Sequence, residues 1–95
     1  MDMKIYTVTT TGENGTRCWG FFREVAEANA AALANATDMN EAGYYPYLVI
    51  EEYPEGICQE GKAVQWYRWR GKRGGNYTPC RAPLEYLHIS NFGMS

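Results

Sequence analysis

The twelve residues WYRWRGKRGGNY, Trp66 to Tyr77, hold two tryptophans, two tyrosines, four basic side chains and three glycines. Guanidinium groups beside large rings combine a flat face for stacking with a fork of donors that matches phosphate or carboxylate. On a strand, Trp66, Arg68 and Arg70 share one face while Tyr67 and Trp69 share the other, so each face receives a large ring. One set can fill a core. The other, next to Lys72 and Arg73, makes a surface where a base stacks over an arginine, at roughly 1–3 kcal/mol per base. The same residue types dominate protein-binding hot spots, and arginines also stack on rings of their own chain. Three uses therefore stay open: internal packing, a protein partner, and a nucleotide or single-stranded nucleic acid. The candidate binding residues are Trp66, Arg68, Trp69, Arg70, Lys72, Arg73 and Tyr77.

Other chemistries find less support. Gly56 to Lys62 has the spacing of a phosphate-binding loop, but Ala63 stands where a magnesium-binding hydroxyl is needed and Glu60 would repel phosphate. The residues after it read as a strand, where that motif requires a helix N-terminus. Cys18, Cys58 and Cys80 lack Cys-x-x-Cys spacing, and His88 is the only histidine, so no metal site is expected. A cysteine–histidine pair remains the one nucleophilic option, against a packed histidine between Leu87 and Ile89. Glu51 and Glu52 are adjacent on an expected strand, so they diverge to opposite faces and do not form a catalytic pair. No enzyme activity and no cofactor are expected.

The elements that would position these residues follow from periodicity. Lys4 to Thr10 alternates, with Tyr6 and Val8 on one side and Ile5, Thr7 and Thr9 on the other, which predicts a strand. Asn14-Gly15 predicts a tight turn back into a second strand, Thr16 to Phe22, with Cys18, Gly20 and Phe22 on one face and Trp19 and Phe21 on the other. From Arg23 the period lengthens, and Val25, Ala28, Ala32 and Ala36 predict an amphipathic helix ending near Gly43 or Pro46. Its start has no Ser, Thr, Asp or Asn to cap it. Strands are then predicted over Tyr47 to Tyr53, Ala63 to Arg70 and Tyr77 to Arg81, the last at a sheet edge because of Pro79. The segment LEYLHISNF is apolar enough to be tied to the sheet as a strand or a turn. The plan is a single α+β domain over 1–95: an antiparallel sheet of about four to six strands with one helix on one face, in the order β-β-α-β-β-β.

Composition agrees with a folded domain. Hydrophobic residues make up 45% and charged residues 21%, which is ordinary, while the aromatic share of 15% is high enough to need a second place besides one small core. The net charge of −2 offers no overall attraction to nucleic acid or membrane, so any charged function is local. Six acids and no base lie from Asp38 to Glu60, and six bases and no acid from Lys62 to Arg81. If the two blocks are hairpin neighbours, Glu51 or Glu52 faces Arg68 or Arg70, and the charges are spent on each other. With no apolar run of signal or membrane-spanning length, a cytoplasmic protein is expected, with no membrane partner. Exposed strand edges leave a homodimer open.

The opening KIYTVTTTGE, the WGFF strand, the helix containing Glu27-Ala28, and YLVIEEY at 47–53 together resemble a group of small bacterial and phage proteins. These carry a K-x-Y-x-V-T-x-G-E hairpin, one helix and an E-E-Y strand. The resemblance covers a little over half of the chain. It implies the hairpin–helix–strand plan and a phage or mobile-element origin, and it carries no activity. The expected function is a non-enzymatic interaction domain for a protein partner, with an anti-CRISPR or other anti-defence factor as the natural phage role. The alternative is a nucleotide-signal or single-stranded nucleic-acid binder using the same hairpin.

Overall fold

The computed structural model describes residues 4–13, 15–36, 45–54, 60–71, 75–87 and 89–94. Strands β1 (Lys4–Gly12) and β2 (Gly15–Phe22) form a hairpin closed by the Gly12 and Gly15 pair, with Gly15 at a φ of +112° that a side chain would resist. Helix α1 (Val25–Leu33) leads to β3 (Tyr47–Pro54), β4 (Lys62–Arg70) and β5 (Asn76–Cys80). The sheet order is β2-β1-β3-β4-β5 and every neighbouring pair is antiparallel. Because β3 pairs with β1 and not with β2, the chain crosses over β1 on its way, and α1 is laid on the sheet by that crossing. This is the expected α+β plan with five strands.

The helix side of the sheet is filled by Val8, Leu48, Ile50, Tyr67 and Tyr77, met by Ala28 and Ala32 from α1. Small alanines let the helix approach closely, and the rings of the sheet supply the apolar area that alanines lack. Polar ends of those rings are satisfied. Tyr67 Oη donates to Asn29 Oδ1, Tyr77 Oη donates to the Tyr45 carbonyl at 2.9 Å, and Trp19 Nε1 donates to Thr10 Oγ1 at 2.8 Å.

The opposite side is covered as well. The chain leaves β5 and forms two 3₁₀ turns, Leu84–Tyr86 and Phe92–Met94, which bring Phe92, Tyr86 and Ala82 onto Val49, Trp66 and Tyr47. The closing segment is thus built of turns and not a strand. A sheet buried on both sides explains where a high aromatic content goes.

Three expectations need correction. The helix stops at Leu33, far short of Gly43, because Asn35 takes a left-handed φ of +45° and its N–H reaches back to the Ala32 carbonyl. Its predicted apolar stripe is also narrower: Ala28 and Ala32 are buried whereas Val25 and Leu33 are exposed. In β2, Trp19 is an extra residue, since Thr9 pairs with Cys18 and Val8 with Gly20. That β-bulge returns Trp19 to the helix side with Phe22 and leaves Cys18 on the other side with Phe21, so strict alternation fails there.

Candidate interaction surface

The five described members of the predicted site are divided between the two sides of β4 and β5. Trp66 is only 5% exposed: Tyr86 stacks on it at 5.6 Å with an interplanar angle of 1°, and Phe92 and Tyr47 meet it edge-on at 5.5 and 6.4 Å. Its faces and edges are occupied by the protein's own rings. Tyr77 is fully buried on the helix side, where half-buried Trp69 packs edge-on against it at 5.0 Å. Trp66 and Tyr77 are packing residues, so of the two candidate indoles only Trp69 stays partly accessible. Lys72 and Arg73 lie outside the described residues, as do His88, Cys58 and residues 56–59 of the phosphate-loop candidate Gly56 to Lys62, whose last residue opens β4.

Arg68 and Arg70 remain. They are exposed at the far end of β4, on the side of the sheet that carries the 3₁₀ turns, opposite Tyr47 and Thr78 for Arg68 and opposite Asn76 for Arg70. The expected pairing with the acidic strand does not occur. In the observed register Glu51 stands across from Ala63 and Glu52 across from Lys62, several residues from the arginines. Glu52 instead pairs with Lys4 at 3.0 Å. Neither Arg68 nor Arg70 meets a carboxylate among the described residues. Arginine stacking on a ring does occur, but on β2, where the Arg17 guanidinium lies 4.0 Å from the Trp19 ring centre.

Glu51 is the one fully buried carboxylate among the described residues. Its Oε1 accepts from the Gly93 N–H at 2.9 Å and from Tyr53 Oη at 3.2 Å. Burial and the nearby Glu51 charge push the Tyr53 phenol far above its ordinary pKa. Both groups lie beneath the closing segment, out of reach of a substrate while it is seated. Burial also pushes the Cys80 thiol up, against the opposing pull of Arg68 and Arg70, whereas Cys18 is exposed. Among the described residues no group of three potential metal ligands converges, and no helix is long and apolar enough to cross a membrane.

Sequence reasoning missed the outer side of the closing segment. Leu84 is 84% exposed, and Leu87 and Ile89 are each about half exposed. In a 3₁₀ turn residues i and i+3 eclipse, so Leu84 and Leu87 lie on one side while Tyr86 turns toward Trp66. The i, i+3 leucines after Pro83 were the available signal. A second apolar feature, a groove of about 290 Å³ between β2 and α1, is lined by Val8, Trp19, Phe21, Phe22, Ala31 and Ala36.

Comparison with known protein families, with curated proteins and with solved structures found no match.

Proposed function

We propose that this chain is a non-enzymatic interaction domain whose partner is a protein, and that Arg68 and Arg70 form the centre of its binding surface. The observation that supports it is the pair of exposed guanidinium groups with no carboxylate among the described residues, two residues apart on a strand paired on both sides. A strand so held fixes the spacing of the two forks before any partner arrives, which lowers the ordering cost of binding. Inhibition of a bacterial defence protein, in the manner of an anti-CRISPR or other anti-defence factor, is the role we attach to the hairpin's likeness to phage proteins. That attachment is analogy. The test is a pull-down from bacterial lysate with wild type and with Arg68→Ala plus Arg70→Ala. Loss of a wild-type partner from the double variant supports the surface; equal recovery moves it elsewhere.

The nucleotide or single-strand reading retains one supporting feature, the Tyr47 ring on the residue paired with Arg68. It is the weaker reading because Trp66, the largest ring on that side, is stacked within the protein. A nucleotide present at 100 times its Kd would add about 2.7 kcal/mol to stability, so a panel of nucleotides that leaves Tm unchanged removes it.

A further inference from the structure

We propose that the partner presents an extended acidic segment to the exposed end of β4 and β5, with carboxylates at alternate residues meeting Arg68 and Arg70. This rests on the protein-partner reading above and names the partner's chemistry.

The side of the sheet that carries the 3₁₀ turns changes character along β4. The cross-strand row Val49, Trp66 and Cys80 is roofed by Ala82, Tyr86 and Phe92 of the closing segment. The next row is Tyr47, Arg68 and Thr78, and the one after it holds Arg70 and Asn76. Arg68, Arg70 and Asn76 are exposed, and Thr78 is half-buried with its Oγ1 donating to the Arg68 carbonyl at 3.4 Å. Alternate residues of a strand lie about 6.7 Å apart on one side, so the two guanidinium forks stand at the repeat of any other extended chain. They also have no competitor within the protein. Lys4 is held by Glu52 and Arg17 lies over Trp19, whereas neither Arg68 nor Arg70 meets a carboxylate among the described residues.

Charge complementarity selects the occupant. Six of the nine basic residues and none of the eleven acids lie from Lys62 to Arg81, so the β4 and β5 hairpin is a basic edge of the sheet on a chain whose remainder is strongly acidic. An acidic partner is attracted at that edge and repelled elsewhere, which fixes both its site and its orientation. A single-stranded nucleic acid is a poorer match, because binding of that kind draws on free rings and Trp66 is enclosed by the protein's own. A second copy of this chain is a poorer match too. Its strand with adjacent acids, β3, is paired on both sides, with Glu51 buried and Glu52 held by Lys4.

The test uses the full chain at low salt and fluorescence anisotropy with three labelled peptides of equal length: alternating Glu and Thr, the same with Gln for each Glu, and the same composition with the glutamates in one block. A labelled oligothymidylate is the fourth arm. The alternating acidic peptide is expected to bind about tenfold more tightly than the Gln peptide, about threefold more tightly than the block peptide, and more tightly than the oligonucleotide. Arg68→Ala plus Arg70→Ala, at exposed positions and expected to leave Tm within a degree or two, should weaken that binding about tenfold and flatten its salt dependence. Arg17→Ala plus Arg23→Ala removes the same charge at and just after β2, the opposite edge strand, and should leave Kd within about twofold. No preference over the Gln or block peptide, an equal loss in the Arg17 and Arg23 variant, or tighter binding of the oligonucleotide overturns the inference. So does a dimer in sedimentation of the chain alone that the Arg68 and Arg70 variant loses, since the occupant is then a second copy. If the acidic peptide fails while a lysate partner is still lost from the Arg68 and Arg70 variant, the inference falls and the interaction domain stands; if that variant keeps the partner, the broader reading fails.

Discussion

At Gly93 the closing segment is pinned to the sheet by one backbone group with no room around it. A Cβ there would stand 2.5 Å from Thr7 Oγ1 and 2.9 Å from Thr7 Cβ, while the Gly93 N–H holds Glu51 Oε1. Neither neighbour can yield easily, because Thr7 sits on β1, which is paired on both sides. Gly93→Ala should therefore lift the segment and weaken the bond to the buried carboxylate, costing about 1–3 kcal/mol by overpacking and a lost charged hydrogen bond. Urea denaturation of the variant checks this, and a midpoint equal to wild type would show that Gly93 is not a clasp. The requirement for glycine here was invisible beforehand, since nothing in ISNFGMS marks which strand the backbone will touch.

At the scale of elements, the closing segment acts as a lid of rings over Trp66. Tyr86 is the residue to remove, because it lies parallel to and offset from the indole and also touches Tyr47 and Phe92. Tyr86→Ala should cost about 1–3 kcal/mol and uncover one face of Trp66. Trp66 emission should then shift to the red with Trp19 and Trp69 as a constant background, and an unshifted spectrum would show that Trp66 is shielded by other groups. The strands themselves were legible in the sequence because period-two alternation survives wherever a side of the sheet is buried, as in Leu48 and Ile50 against Tyr47 and Val49. Two things were not. An alanine-rich helix keeps its period past its real end, so the stop at Leu33 depended on the backbone of Asn35 and not on a change of pattern. The bulge at Trp19 also leaves no local mark, since it is created by what β1 pairs with. The candidate site suffered most. Which ring on β4 stays accessible was decided by a segment twenty residues further on, and which acids face the arginines was decided by register.

For the whole molecule, burying both sides of the sheet means burying tyrosines, and that ties stability to pH. Tyr53 and Tyr67 are each nearly inaccessible, and burial pushes both phenols above their ordinary range, with the Glu51 charge adding to the shift at Tyr53. A raised phenol keeps its proton in the folded protein after the unfolded chain has lost it, at a pH above about 10. Below that pH the two states hold the same phenolic protons and these tyrosines contribute no pH dependence. Above it the unfolded state binds fewer protons, so stability falls with pH, by about 1.4 kcal/mol per pH unit for each tyrosine retained. Tm should accordingly drop steeply above pH 10, and tyrosinate absorbance near 295 nm should rise in step with unfolding. Tyr67→Phe is expected to lower Tm at neutral pH by loss of the bond to Asn29 yet to shallow the alkaline decline, as is Tyr53→Phe by loss of the bond to Glu51. If the double variant declines above pH 10 as steeply as wild type, other groups carry the alkaline limb and the two phenols do not hold their protons through burial.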